Sequence, residues 1–282
     1  MKKIGNILIV MFAALSMIRC GDFLDVQQYV KDMQQYDSIF VRENTTKQWL
    51  WEVYSSLSST PSLSNGALYF ASDEAIYNDA NASCELYQNG QYSSTNPVWE
   101  DRYNAMYVGI RTASIFIHNV HRCLEVSSAE RERMEGEARF LRAYYYFLLF
   151  RQYGPVFIWG DQIADETIDG KTVDRHTVQQ NIDFMVGELD AIKNDLPVRT
   201  DDIGIDGKQW AGRVTRGAAL ALKSRILLYA ASPLYNGCDL YKGQMQNIRG
   251  EFLFPQSKDE TKWEAAAQAA WDVIELAETG LY

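Results

Sequence analysis

Apolar residues recur along most of the chain at the three- and four-residue spacing of an amphipathic α-helix. The first long series comprises Trp99, Tyr103, Met106, Ile110, Ala113, Ile117, Val120 and Leu124. A second series follows a predicted capping box of Ser127 and Glu130 and comprises Met134, Ala138, Leu141, Tyr145 and Leu148. It is predicted to end at Tyr153-Gly154-Pro155. Because few residues separate the two series, we expect an antiparallel helix pair.

The same spacing predicts four more helices. One begins at Thr177 and ends before Pro197, with an inward series of Val178, Ile182, Met185, Leu189 and Ile192. The next covers residues 215–231. The last opens with a predicted capping box of Thr261 and Glu264, and its inward series is Trp263, Ala267, Ala270, Ile274 and Ala277. A shorter helix near the start of the chain contains Trp49, Leu50, Val53, Tyr54 and Leu57.

No strand-like alternation of any length competes with this pattern, so the predicted fold class is all-α. Alanines that face aromatic residues on paired helices favour tetratricopeptide-like stacked helix pairs, although no strict 34-residue period is visible. Long polar loops are predicted at 59–96, 154–176, 195–214 and 232–260. Because long loops on a helical scaffold often carry binding sites, we expect function to lie there.

Composition and charge exclude several classes of protein. The 282 residues are 47% hydrophobic, 13% aromatic and 23% charged, which argues against a disordered chain, a collagen or a multi-span membrane protein. The formal net charge of −10 disfavours binding to nucleic acid and electrostatic docking on anionic lipid.

The N-terminal residues 1–19 have the order of an export signal. Lys2 and Lys3 precede an unbroken apolar run at 7–15, which is too short to span a bilayer as a helix. The alternative is a buried N-terminal core helix. Cys20 follows directly, where a bacterial lipoprotein signal places its lipidated cysteine, although Arg19 stands where a small residue is usual. Lipidation of Cys20 would anchor the protein to a membrane by burial of acyl chains.

Candidate metal and catalytic chemistry is sparse in the sequence. Cys84, Cys123 and Cys238 are spaced too widely for a zinc pattern and are predicted to be small buried residues. His118 and His121 share a helix face without an evident third ligand, and a structural or exposed position is favoured. The run 201–207 has a calcium-like rhythm but lacks the closing glutamate. The sequence therefore predicts no metal, no cofactor and no catalytic residue.

Five stretches of the chain resemble, in order, the SusD/RagB family of cell-surface lipoproteins: Cys20–Asp25, Trp99–Val120, Glu137–Val156, Gly212–Tyr229 and Trp263–Ala267. The most specific is EARFLRAYYY at 137–146, running into YGPV at 153–156. One departure is Phe157, which stands where the family commonly has proline. The chain is identified as a member of this family from these stretches.

This resemblance implies an all-α fold with tetratricopeptide-like helix pairs on the outer leaflet of the outer membrane. It also implies capture of a glycan or peptide nutrient and closure as a lid over a SusC-like TonB-dependent transporter, without catalysis. Because family members are much longer, residues 20–282 are expected to form the N-terminal helical domain without the C-terminal half. Two alternatives stay open: a helical-repeat scaffold that only contacts the transporter or other proteins, and a glycoside hydrolase.

The candidate ligand-binding residues lie in the first long loop, where the family places part of its ligand surface. Sugar recognition needs flat aromatic faces together with carboxylate and amide groups, and the loop offers Asp73, Glu74, Tyr77, Asn78, Tyr87 and Tyr92. The alternative is a solvated loop whose tyrosines pack on the helices. The aromatics at helical spacing, namely Trp99, Tyr103, Tyr145 and Trp263, are predicted to be core residues. Arg139 and Arg142 lie three apart on one helix face and could hold a ligand carboxylate, but pairing with Glu135 or a neighbouring helix is favoured.

Overall fold

The computed structural model describes residues 38–57, 83–93, 95, 102–163, 168–199 and 212–279. These residues form seven α-helices: α1 (Glu43–Ser55), α2 (Ser83–Gln88), α3 (Tyr103–Asn119), α4 (Ser128–Tyr153), α5 (Val178–Ile192), α6 (Arg216–Ala231) and α7 (Thr261–Glu278). In the same ranges no β-strand is formed, and an isolated β-bridge pairs Gln246 with Phe252. The all-α prediction is therefore confirmed. None of the helices described combines the length and hydropathy of a membrane-spanning segment.

Consecutive helices from α3 to α7 pack on one another, and α1 packs on α3 and α4, which gives the predicted stack of helix pairs. Helix α4 is central because its apolar and aromatic residues are buried on several sides. The fully enclosed side chains on it include Met134, Leu141, Tyr145, Tyr146, Phe147 and Phe150. Complete burial of each large apolar side chain contributes about 1.5–3 kcal/mol, so α4 supplies much of the apolar stabilisation of the stack.

Side-chain caps from Ser127, Thr177 and Thr215 fix the starts of α4, α5 and α6. Helix α5 has a full capping box, in which Thr177 and Gln180 each accept a backbone N–H of the other. Ser127 caps α4 as predicted, but the Glu130 carboxylate accepts from Arg133 rather than completing the box. The predicted capping box of Thr261 and Glu264 is wrong. The Asp259 carboxylate instead accepts the Thr261 N–H at 3.0 Å and its hydroxyl at 2.7 Å.

The predicted inward face of α7 is also wrong. Its buried residues are Ala266 and Ala269, while the predicted series is not buried and Trp263 keeps 42% of its surface accessible. Alanines and larger apolar residues occupy both faces of this helix, so spacing alone does not distinguish the faces. The small side chains of the two buried alanines allow the backbone of α7 to approach α6 closely, which favours dispersion contacts between the two helices.

Two residues of the first predicted series, Tyr103 and Leu124, are exposed instead of buried in the core. Helix α3 ends at Asn119 and continues as a 3-10 turn at Val120–Arg122, so helical spacing does not extend to the exposed Leu124. Tyr103, the first residue of α3, is 45% exposed. Met106, Ile110, Ala113 and Val120 are buried as predicted, and so is Tyr145 on α4, whereas Trp99 lies outside the described residues.

The predicted pairing of the two arginines on α4 is confirmed. Arg139 pairs with Glu135 on its own helix and with Glu188 on α5. Arg142 is completely buried and also pairs with Glu188. These contacts tie α4 to α5 through a carboxylate that is itself buried.

Candidate functional site

Most of the binding residues predicted from sequence lie outside the described part of the chain. These are Asp73, Glu74, Tyr77 and Asn78, and the predicted lipidation site Cys20 lies outside it as well. Tyr87 belongs to the short helix α2, and Tyr92 follows it with 56% of its surface exposed. The loop therefore stays a predicted binding region.

The described residues form an aromatic groove of about 390 Å³ along α3. Its second wall comes from the chain after α4, chiefly residues 156–161, which we call the wall segment. The side chains and backbone that line the groove are Tyr103, Asn104, Tyr107, Val108, Ile110, Arg111, Ser114, Phe157, Trp159, Gln162 and Val173. This volume lies within the range of small-ligand pockets.

Aromatic rings line both sides of the groove in pairs. On α3, the rings of Tyr103 and Tyr107 lie 4.9 Å apart. On the wall segment, Phe157 and Trp159 meet edge to face, with centroids 4.8 Å apart and planes at 84°. Tyr103 also contacts Tyr153 edge to face at 5.2 Å. These contacts limit ring rotation, so the groove presents aromatic surfaces that are ordered before a ligand arrives.

The start of the wall segment is held by side chains from α5 and the residues before it. Asn181, which is buried, accepts the Val156 N–H at 3.3 Å and donates to the Val156 carbonyl at 3.2 Å. The His176 backbone N–H donates to the same carbonyl, and its Nδ1 accepts the Ile158 N–H at 3.0 Å. Since Nδ1 can accept only when it carries no proton, this contact requires the neutral histidine with its proton on Nε2. Burial and the nearby Arg249 lower the pKa of His176, which favours the neutral form.

Two largely buried tyrosines hold the middle of the wall segment. Tyr107 donates its hydroxyl to the Phe157 carbonyl at 2.8 Å, and the Tyr146 hydroxyl accepts the Trp159 N–H at 2.9 Å. Burial raises the pKa of both tyrosines well above their ordinary value of 10.0. Both therefore stay protonated, and the Tyr107 hydroxyl can keep donating at any physiological pH. Side chains thus satisfy much of the polar backbone of this irregular segment, which belongs to no helix or sheet.

Polar groups of two kinds lie among the aromatic surfaces. Asn104 and Gln162 supply amides that both donate and accept hydrogen bonds, and Arg111 supplies a guanidinium. Among the described lining residues there is no aspartate or glutamate. Aromatic faces with amide and guanidinium groups at the edge suit a ligand that has C–H faces and many hydroxyls, such as a sugar ring.

The groove is not among the sites predicted from sequence. Helical spacing predicts Tyr103 to be a core residue, and the loop 154–176 is predicted to be a binding region without any residue named in it. One signal is present in the sequence: Phe157 and Trp159 alternate with Val156 and Ile158 directly after the helix-ending Gly154. Period-two alternation places one pair of side chains outward, and here that pair forms the wall of the groove.

Other candidate chemistry is placed as follows. His118 and His121 are both exposed, and the Cys123 thiol is buried and donates to the Val41 carbonyl. Within the described ranges, no three histidine, cysteine or acidic residues lie together where a metal ion could be held. The run 201–207 lies outside these ranges.

The stacked helices and their aromatic groove define an all-α binding scaffold. A family model described as "SusD-like_3: Starch-binding associating with outer membrane" matches residues 22–228. The chain therefore belongs to the SusD-like family. The predicted family membership is thereby confirmed.

Solved structures agree with this assignment. A SusD-like protein from Bacteroides fragilis is 22% identical with a TM-score of 0.62, over 85% of this chain and 39% of that one. The protein BT4246 is 27% identical with a TM-score of 0.68, over 84% and 40%. A surface glycan-binding protein A from Bacteroides uniformis is 20% identical with a TM-score of 0.51, over 66% and 42%. Among curated proteins no match is found.

The chain spans about two fifths of the length of the structures it matches, with 39% and 40% of the first two covered. The likenesses below 25% identity establish a shared fold. They carry no ligand or partner over to this chain.

Proposed function

We propose that this protein is a cell-surface glycan-binding lipoprotein that captures an oligosaccharide and passes it to a SusC-like TonB-dependent transporter, without catalysis. The observation that carries the proposal is the aromatic groove between α3 and the wall segment, in a chain of the SusD-like family. The family's description as starch-binding and associated with the outer membrane agrees with this role.

The chemistry of the groove favours binding over hydrolysis. Glycoside hydrolases generally use two carboxyl groups flanking the bond they cleave. The described residues that line the groove include no carboxyl group and offer instead aromatic faces and two amides. A glycan is favoured over a peptide because paired aromatic faces stack on the C–H surfaces of sugar rings.

The N-terminal residues complete the proposal. Residues 1–19 act as a lipoprotein signal, and lipidated Cys20 anchors the protein in the outer membrane, exposed at the cell surface. The loop residues Asp73, Glu74, Tyr77, Asn78, Tyr87 and Tyr92 contribute a second part of the ligand surface. Residues 20–282 form the N-terminal helical domain of the SusD-like type.

The test is native gel electrophoresis in gels containing amylopectin, arabinoxylan, laminarin or pectic galactan. We expect one of these polysaccharides to retard the protein, and Trp159→Ala to lose most of the retardation because an aromatic face on which a sugar ring stacks is removed. Trp51→Ala is a matched control, since Trp51 is an exposed tryptophan on α1 and does not line the groove.

Three outcomes would contradict the proposal in different ways. Equal retardation of the Trp159→Ala and Trp51→Ala variants would move the site away from the groove. Release of reducing ends from any polysaccharide would favour the hydrolase. Absence of retardation together with co-purification of the transporter would favour the scaffold that binds no ligand.

A further inference from the structure

Arg142 lies behind the groove and does not line it, yet it contacts both of its walls. The side chain is completely buried on α4. Its Nη1 donates to the Ser114 hydroxyl on α3 at 3.2 Å and to the Gly160 carbonyl on the wall segment at 3.0 Å. A single nitrogen thus joins the two sides of the groove, since Ser114 is one of the lining residues.

All five N–H groups of Arg142 are used. Nη2 donates to the Asp161 carboxylate at 3.0 Å and to Glu188 at 2.7 Å, and Nε donates to Glu188 at 2.9 Å. Together with the two bonds from Nη1, these match the five donors of a guanidinium. Two of the five bonds go to Glu188 on α5, and the other three go to Ser114, Gly160 and Asp161 in the groove walls.

The location of these bonds distinguishes Arg142 from the other groups that hold the wall segment. Asn181, His176, Tyr107 and Tyr146 fix the segment as far as Trp159. Arg142 alone among these holds Gly160 and Asp161, the residues that lie between Trp159 and the lining Gln162. Loss of its contacts would free Gly160 and Asp161, which connect Trp159 on the wall segment to Gln162 in the groove lining.

We propose that Arg142 is a positioning residue for ligand binding: it sets the width of the groove by joining Ser114 to Gly160 and Asp161 from behind. The proposal rests on the proposed function, because it takes the groove to be the ligand site. Arg142 does not line the groove and makes no contact with the ligand. Its effect on affinity comes from holding the aromatic wall in place before binding, which removes an ordering cost from the binding step.

The test compares Arg142→Lys with Arg139→Lys in the full chain. Lysine keeps a charge opposite Glu188, but a compact ammonium with three donors cannot pair with Glu188 and also bond Ser114, Gly160 and Asp161. Arg139 is the matched control because it is on the same helix, pairs with the same Glu188 and makes its bonds to Glu135 and Glu188 instead of to the groove walls. Hydrogen exchange of the Trp159 amide and of the Gln162 amide, which donates to the Trp159 carbonyl at 3.1 Å, reports the order on both sides of Gly160 and Asp161 without any ligand.

We expect Arg142→Lys to speed hydrogen exchange of these two amides. We also expect it to weaken affinity for the most strongly retarding polysaccharide by about tenfold, because binding must then order the wall segment. Arg139→Lys should leave both unchanged at a similar melting temperature. If Arg142→Lys does not fold, Asp161→Ala is the second variant. Its side chain is 84% exposed, so it should fold normally and still speed the same exchange.

The results separate this inference from the proposed function. If Trp159→Ala abolishes retardation while Arg142→Lys changes neither exchange nor retardation, the function stands and the positioning role is overturned. The positioning role is also overturned if Arg139→Lys and Arg142→Lys lose affinity equally. If no polysaccharide retards the unmodified chain, the proposed function fails, and the role of Arg142 in ligand binding fails with it.

Discussion

The buried carboxylate of Glu137 offers a quantitative test of how the helix stack is held together. It lies on α4 and accepts from Arg213 Nε at 2.8 Å and from the Tyr54 hydroxyl at 2.6 Å. The Tyr54 hydroxyl in turn accepts the Val214 N–H at 3.1 Å. One carboxylate therefore ties α1 and α4 to the residues that lead into α6.

Removing this carboxylate breaks the buried ion pair with Arg213 and the hydrogen bond with Tyr54. In Glu137→Ala, Arg213 loses this pair with only 13% of its side chain exposed, whereas Arg133, 7% exposed, keeps its pair with Glu130. Breaking a buried ion pair by deleting one partner costs about 3–5 kcal/mol. Because Arg213 is partly accessible to water, we take about 3 kcal/mol, which corresponds to a fall in melting temperature of roughly 6–12 °C for a domain of this size.

Thermal unfolding followed by circular dichroism at 222 nm measures this shift. Glu135→Ala is the matched control, since Glu135 lies on the same helix and pairs with Arg139 at 3.1 Å near the surface. Exposed pairs contribute about 0–1 kcal/mol, so this variant should melt close to the parent. The double variant Glu137→Ala/Arg213→Ala should lose less stability than the two single variants added together, with a coupling of about 1–3 kcal/mol.

Two results would refute this reasoning. If Glu137→Ala has the same melting temperature as Glu135→Ala, water or other groups replace the lost carboxylate without loss of stability. Strict additivity in the double variant would mean that Glu137 and Arg213 stabilise the fold independently of each other.

Three further predictions concern the groove and the helix contacts. Burial lowers the pKa of His176 below its ordinary 6.5, so the hydrogen bond from the Ile158 N–H stabilises the fold fully above pH 6.5 and is lost as the pH falls through the lowered pKa. His176→Asn keeps an acceptor and should flatten the acid side of a plot of melting temperature against pH. An unchanged plot would exclude His176 as the cause of the acid sensitivity. Gly109→Ala should lower the free energy of unfolding by about 1–3 kcal/mol, because the new Cβ would lie 2.9 Å from Ser56 Cβ and 3.0 Å from the Tyr145 ring. Gly187→Ala is the control: it has open space around it and should leave the melting temperature unchanged or raise it. Thr177→Ala should lower the free energy of unfolding by about 1 kcal/mol, because it removes the α5 cap. Urea titration measures this, and a variant as stable as the parent would show that the cap is redundant.

The sequence is sufficient for those parts of the fold that depend on local spacing. The buried positions of α5 follow the predicted series from Val178 to Ile192, and the Ser127 cap of α4 lies at its predicted position. Such features arise from contacts between residues three or four apart on one helix, which a linear pattern records directly. The motif from Glu137 to Tyr146 likewise identifies the family by its residues alone.

The packed face of α7 and the groove are decided by tertiary structure. Either face of α7 is apolar enough to be buried, and the choice of Ala266 and Ala269 over Trp263 depends on the shape of α6. The groove brings Tyr103 and Tyr107 opposite Phe157 and Trp159, about fifty positions later in the chain, and no local period encodes that distance.

Arg142 combines a property that its sequence predicts with contacts that depend on the tertiary structure. Its position three residues after Arg139 on one helix face predicts pairing with Glu135 or a neighbouring helix. Its contacts with Ser114, Gly160 and Asp161 join α3 and the wall segment to α4, and these elements meet only in the folded chain. Local spacing and charge thus determine which groups need burial or a partner. The packing of α3, α4 and the wall segment determines which groups meet and leaves an open aromatic groove between them.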